Sequence, residues 1–222
     1  PFDYWNDIKY SFEEVFKLYP PELQLGFLKF LKGTPVRDKY LNYGYKFDPV
    51  APYQIIKSKY LSEKELGDIT KLEHALEIYW NKKRLCNTLK YVTSKYSVFD
   101  FLFQLGTYFE SRSSFYSYTL NDIYTIAKDF ITGTFPNDPY LLQLLAIDYY
   151  LQHKVKPVEF AVAEIEKKKK FSLLEKERLS HNKYRYIVIP IDFNLNTFQI
   201  KNRIEVNHEI LIIEYSGTNH PR

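Results

Sequence analysis

The chain has 222 residues, is 45% hydrophobic and carries a formal net charge of +4. That length and apolar share exclude a disordered segment and leave room for one large domain or two small ones. No apolar run approaches the roughly 20 residues a membrane helix needs, no charged-then-apolar leader opens the chain, and the charge is too scattered to argue for nucleic acid as a partner.

The single Cys86 excludes an internal disulfide and fits a reducing cytosol, so a cytoplasmic location is expected. A chain that opens on Pro1 and contains no methionine is expected to be a fragment or a processed product.

In chain order, Ser11-Phe12-Glu13-Glu14 reads as a capping box, with Ile8 and Tyr10 open to inclusion in the same short helix, and Tyr19-Pro20-Pro21 stops it. Glu22 to Phe30 is an apolar, glycine-containing run of strand length. Gly33, Thr34 and Pro35 make a turn, and Arg37 to Tyr45 is predicted as a short helix capped by Gly44. Helix, proline stop, strand, loop and helix is the rhythm of an α/β unit. Tyr53 to Ile56 adds a last short strand.

Ser62-Glu63-Lys64-Glu65 is a second capping box, and its helix carries Leu66, Ile69, Leu72, Leu76, Tyr79 and Trp80 at three- and four-residue spacing. Ser97 to Glu110 turns Phe99, Leu102, Phe103 and Phe109 inward. Thr119 with Asp122 caps a helix striped by Leu120, Ile123, Tyr124, Ala127 and Ile131. Asp138-Pro139 starts a helix from Tyr140 to Gln152 that is apolar nearly all round, and is therefore predicted to be central. Glu159 to Ser180 is charged, with Lys167 to Lys170 expected as a solvated helix face. Tyr184 to Phe193, Thr197 to Arg203 and Glu209 to Tyr215 read as strands of a small antiparallel sheet. The pattern predicts an α+β fold, mainly α, in three segments: 1–60, 61–160 and 161–222.

The stretch LQLGFLKFLKGTPV, Leu23 to Val36, is a buried strand running into a glycine turn on pattern alone. It also resembles the sixth barrel strand and following Gly-Thr-Pro loop of radical-SAM enzymes. The nearer likeness is to the radical-SAM proteins that carry a cobalamin-binding domain. Pro1-Phe2-Asp3-Tyr4, Tyr19-Pro20, Pro52-Tyr53, Leu61-Ser62 and Glu77-Ile78-Tyr79-Trp80-Asn81 follow in the order of that subgroup. The helical middle resembles its C-terminal domain of unknown function, so that the likeness covers about residues 1–160.

The resemblance implies that residues 1–60 are the end of a partial (β/α) barrel and that Gly33 and Thr34 lie on its S-adenosylmethionine side. In such enzymes three cysteines spaced C-x3-C-x2-C hold a 4Fe–4S cluster, because soft thiolates suit iron–sulfur clusters. One cysteine cannot do this, so the cluster, S-adenosylmethionine and cobalamin are implied for an intact protein. Its upstream domains would be this chain's partners, together with an unknown substrate. The implied chemistry is methyl transfer or an oxidoreductase-like radical step, and the chain alone is expected to be inert. A non-catalytic helical binding or dimerisation module is the alternative, with self-association through the exposed strand edge of Leu23 to Phe30.

Among single residues, Cys86 reads as a small buried hydrophobe at a helix end or, less simply, a ligand. Asp148 projects from the apolar face of Leu141, Leu144 and Leu145, where a carboxylate is costly unless hydrogen-bonded. It is either a structural acid bonded to a helix N-terminus, a tyrosine or an arginine, or a substrate-facing acid or base. His153 is expected on a solvated face. The five histidines, 74, 153, 181, 208 and 220, show no metal-ligand spacing, and no phosphate loop, dinucleotide fingerprint or nucleophile elbow appears.

Overall fold

The computed structural model describes residues 3–180, 183–217 and 221; Pro1, Phe2, His181 and His220, named above, lie outside these. The elements are α1 (Trp5–Phe16), α2 (Pro35–Asp38), a 3-10 turn (Tyr40–Tyr43), β1 (Lys46–Phe47), β2 (Ile55–Lys57), α3 (Glu63–Ala75), a π-helical turn (Leu76–Asn81) and α4 (Cys86–Lys95). There follow α5 (Val98–Arg112), α6 (Leu120–Thr134), α7 (Pro139–Gln152), α8 (Lys167–Lys176), β3 (Arg185–Phe193), α9 (Leu195–Lys201) and β4 (Val206–Tyr215). The fold is α+β and mainly α. Among the described residues its named strands form two antiparallel pairs, β1–β2 and β3–β4, and close no barrel.

The chain forms two compact units: Pro1–Lys82 with Tyr96–Ser117, and Lys83–Lys95 with Tyr118–Arg222. In the first unit, α1 begins well before the expected capping box, because the Tyr4 N–H donates to Asp7 Oδ2 at 2.9 Å and leaves Ser11 inside the helix. Glu13 instead serves α5: its Oε1 accepts from Ser97 Oγ at 2.6 Å and from the Phe99 N–H at 3.0 Å. The Ser62–Glu65 box forms as predicted, with Ser62 N–H to Glu65 Oε2 at 2.7 Å and Glu65 N–H to Ser62 Oγ at 3.2 Å. Leu66, Ile69, Leu72, Leu76, Tyr79 and Trp80 are all buried. Helix α5 lies close against α3 at Gly106, where a Cβ would stand 2.3 Å from the Lys71 carbonyl oxygen.

The expected strand Glu22–Phe30 is instead an extended segment with one isolated bridge, Lys29 to Gln54. Period-two burial survives: Leu23, Leu25 and Phe27 are half-buried while Gln24, Gly26 and Leu28 are exposed. Its main chain makes two ladder bonds, Phe30 N–H to Tyr53 O and Ile55 N–H to Leu28 O, both 2.9 Å. That is too few ladder bonds to make a strand. Arg37 to Tyr45 is likewise not one helix but α2 and the 3-10 turn, ended by Gly44 at φ +58°.

In the second unit α7 is central, as its all-round apolarity predicts, with Leu141, Leu144, Leu145, Ile147 and Tyr150 buried. It contacts α4, α6 and β3. The register pairs Ile187 with Ile213 and Ile189 with Leu211. Strand β3 is apolar without alternation because both faces are covered, Tyr186 and Val188 packing with Leu174 of α8. The run Thr197–Arg203 is not a strand but lies largely in α9. Asn194 caps it by accepting from the Thr197 N–H at 2.6 Å, and left-handed Asn202 ends it. Nor is the lysine run wholly solvated. Lys170 is half-buried, ion-paired to Glu164, and donates to the Tyr186 carbonyl at 2.7 Å, while Lys167, Lys168 and Lys169 are exposed. Among the described residues no helix is long and apolar enough to cross a membrane.

Candidate functional site

The extended segment Leu25–Leu28 forms one wall of a hollow of about 420 Å³ in the first unit. Ile8, Val36, Ile55, Leu61, Leu66 and Ile69 supply most of the rest, with Asp3, Tyr45 and Ser58 as its polar members. The wall is held by side chains standing in for strand neighbours. Asn81 grips Leu23 twice, accepting from its N–H and donating to its carbonyl, each at 3.0 Å. Trp80 Nε1 donates to the Pro20 carbonyl at 2.9 Å. Arg37 donates to the Phe30 carbonyl at 2.6 Å while its guanidinium covers the rings of Phe47 and Tyr53 at 5.1 and 4.7 Å.

Gly33 and Thr34 follow this wall. Gly33 sits at φ +80°, a conformation that favours glycine, and a Cβ there would meet nothing within 4 Å. The Thr34 hydroxyl is turned back onto the Leu31 carbonyl at 2.7 Å.

Tyr45 is the residue that sequence reasoning missed. It is 5% exposed, yet its hydroxyl has no hydrogen-bond partner among the described residues. Its ring is fixed by Phe30 (centroids 5.1 Å apart, edge-on) and Tyr43 (5.4 Å). Burial raises its pKa, so the phenol keeps its proton. A tyrosine beside Gly44 in a tyrosine-rich run carries no signal that would single it out.

Asp148 belongs to the second unit. It is 4% exposed, and its partners are the N-terminal groups of α4. Oδ1 accepts from Asn87 N–H at 3.0 Å and Asn87 Nδ2 at 2.8 Å; Oδ2 accepts from Thr88 N–H at 2.9 Å and Thr88 Oγ1 at 2.7 Å. Burial outweighs the downward pull of these four bonds and pushes its carboxyl up to about 6. A helix-end partner therefore does not bring a lowered pKa here. Cys86 stands at a helix end, as the first residue of α4; burial, helped by the Asp148 charge, pushes its thiol up.

His153 is half-buried and not on a solvated face: its ring meets Tyr149 edge-on at 4.6 Å, its Nε2 is buried without a partner among the described residues, and burial lowers its pKa. A second buried polar group, Asp138, also escaped the sequence. It accepts from the Tyr91 hydroxyl at 2.9 Å and from Lys95 at 2.8 Å, whereas Asp138-Pro139 reads only as a helix start. No group of three or more His, Cys, Asp or Glu able to hold a metal occurs among the described residues.

A family model described as "Protein of unknown function (DUF4080)" matches residues 41–219. The chain belongs to that family. No curated protein and no solved structure matches it. The DUF4080 match takes in Tyr45, Asp148 and the β3–β4 hairpin, and begins after Gly33 and Thr34.

Proposed function

We propose that this DUF4080 chain is the C-terminal portion of a cobalamin-dependent radical-SAM protein, contributing the loop that approaches S-adenosylmethionine and a helical recognition part, and inert by itself. The observation that supports the reading is the stretch Leu23–Val36, which resembles the sixth strand and Gly-Thr-Pro loop and here is an extended segment followed by a turn with Gly33 at φ +80°. The residues present do not fit a 4Fe–4S cluster, since Cys86 is the single thiol and its proton is held more tightly than usual. The loop is compatible with S-adenosylmethionine in one respect: the open space over Gly33 admits a ligand to the backbone. When bound, S-adenosylmethionine would supply the radical chemistry; this chain would position it and help enclose the substrate. No residue of this chain is assigned to cobalamin. Its partners on this reading are the upstream radical-SAM and cobalamin-binding domains.

Determining the coding sequence upstream of Pro1 tests the proposal. A C-x3-C-x2-C triplet in frame, preceded by a cobalamin-binding segment, is expected; an upstream region without the triplet overturns it. A non-catalytic binding module is the second reading, and the apolar hollow of the first unit favours it.

A further inference from the structure

We propose that the outer edge of β4 is an interface between two copies of this chain, which join edge to edge in antiparallel register about Leu211 and so build a four-stranded sheet. The inference goes beyond the reading above and does not depend on it.

The β3–β4 pair has two edges, and they are finished differently. Along β3 the outward main-chain groups are taken up in turn. The Val188 N–H donates to Glu164 Oε1 at 2.9 Å, and the Val188 carbonyl accepts from the Ile165 N–H at 3.0 Å. The Tyr186 carbonyl accepts from Lys170 and the Asp192 N–H donates to Gln143 Oε1 at 2.8 Å. Pro190 has no N–H to leave open. These bonds also fix the phase of β4. Since Val188 turns both its groups away from β4, its cross-strand partner Ile212 turns both of its own away from β3. Ile210 and Glu214, two residues to either side, do the same. Among the described residues nothing pairs with the main chain of these three on that side. Folded proteins cover, shorten or charge such edges, yet β4 runs for 10 residues, with Ile210 39% and Val206 70% exposed.

The sequence of this edge is self-complementary, as a two-fold interface requires. Pairing two β4 strands about Leu211 sets Ile210 of each copy opposite Ile212 of the other. Each such pair exchanges two main-chain hydrogen bonds and brings β-branched side chains together. The same register sets His208 opposite Glu214 of the second copy, a basic side chain against an acidic one at both ends. His208 is on the right face for this: its Nδ1 lies 2.8 Å from Oδ1 of Asp192, on the side of the hairpin that Ile210 shares. Centring the pair on Ile210 or Ile212 instead would set His208 or Glu214 against an isoleucine.

Sedimentation of the full 222-residue chain from micromolar to millimolar concentration, with amide exchange by NMR at both ends of that range, tests this. A monomer–dimer equilibrium is expected, in which the Ile210 and Ile212 amides exchange at least about 10-fold more slowly as the dimer fills. Ile210→Pro removes an N–H that β3 does not use, and should weaken the dimer about 10-fold or more. Ile210→Lys keeps the N–H but charges the edge; it should weaken the dimer too, and carries the test if the proline variant does not fold. Leu211→Cys in a Cys86→Ser background reads the register. Residues in such a non-hydrogen-bonded pair stand about 4.5 Å apart at Cα, within disulfide reach, so oxidation should trap a covalent dimer. Val206→Cys, which this register sets opposite Ser216, should not crosslink. A chain that stays monomeric at millimolar concentration overturns the proposal, whether its β4 amides exchange fast, the edge being open but not to a second copy, or slowly, the edge being covered by its own chain. So does a dimer that both Ile210 variants leave intact, or a Leu211→Cys chain that crosslinks no better than Val206→Cys.

Discussion

Asp148 and Tyr45 are both polar groups sunk among apolar side chains, one in each unit, and their surroundings treat them in opposite ways. Asp148 has two oxygens and four donors, two of them main-chain N–H groups at the start of α4, so carboxylate and helix end satisfy one another. Tyr45 has one hydroxyl, which is sealed from solvent and has no hydrogen-bond partner among the described residues. A buried polar group that is fully paired holds structure together; one left unpaired costs stability and adds no bond. The contrast explains why the acid that stood out in the sequence is architectural in its contacts, while the hydroxyl of the phenol that did not stand out contributes no bond.

The contrast predicts opposite responses to truncation. Asp148→Ala should lower unfolding free energy by about 2–3 kcal/mol in urea denaturation, because it strands the Asn87 and Thr88 donors in the core. A variant as stable as the parent would break the comparison. The pH dependence is the next largest effect. With the folded carboxyl pushed up to about 6, above its unfolded value, the folded state binds the proton more tightly. The stability this contributes is present at low pH and is lost as pH rises through about 6, a fall of about 1 kcal/mol between pH 5 and pH 7. Asp148→Asn should flatten that slope in denaturation curves taken across the range. Thr88→Val removes one of the bonds that lower the carboxyl's pKa, and should cost about 1 kcal/mol and move the pH transition upward.

Tyr45→Phe should do the reverse of Asp148→Ala, leaving stability unchanged or raising it by up to about 1 kcal/mol, since it removes an unsatisfied group and no bond. A clear loss in thermal denaturation would mean the hydroxyl is engaged after all. Smallest of all, Cys86→Ser should leave the fold and melting temperature nearly unchanged, because the thiol is half-buried and not part of a disulfide.

What the sequence by itself determined follows from interactions a few residues long. The Ser62–Glu65 and Thr119–Asp122 boxes cap where they were expected, α7 is buried because it is apolar all round, and β-branched Arg185–Phe193 pairs with Val206–Tyr215. The burial of Asp148 was legible too, from its phase among leucines. A helix N-terminus was among the partners the sequence allowed, but which helix supplies it was not legible, since α4 is about 60 residues away in the chain. Tertiary structure alone decided that Leu23–Phe30 is an extended wall, because whether an alternating run becomes a strand depends on a neighbour long enough to ladder with it. It decided that Thr197–Arg203 lies mostly in a short helix, because one Asn194 side chain outweighed the β-propensity of the run. And it decided the state of the Tyr45 hydroxyl. A hydroxyl's need is written in its chemistry, but whether that need is met depends on what the rest of the fold brings within about 3 Å of it.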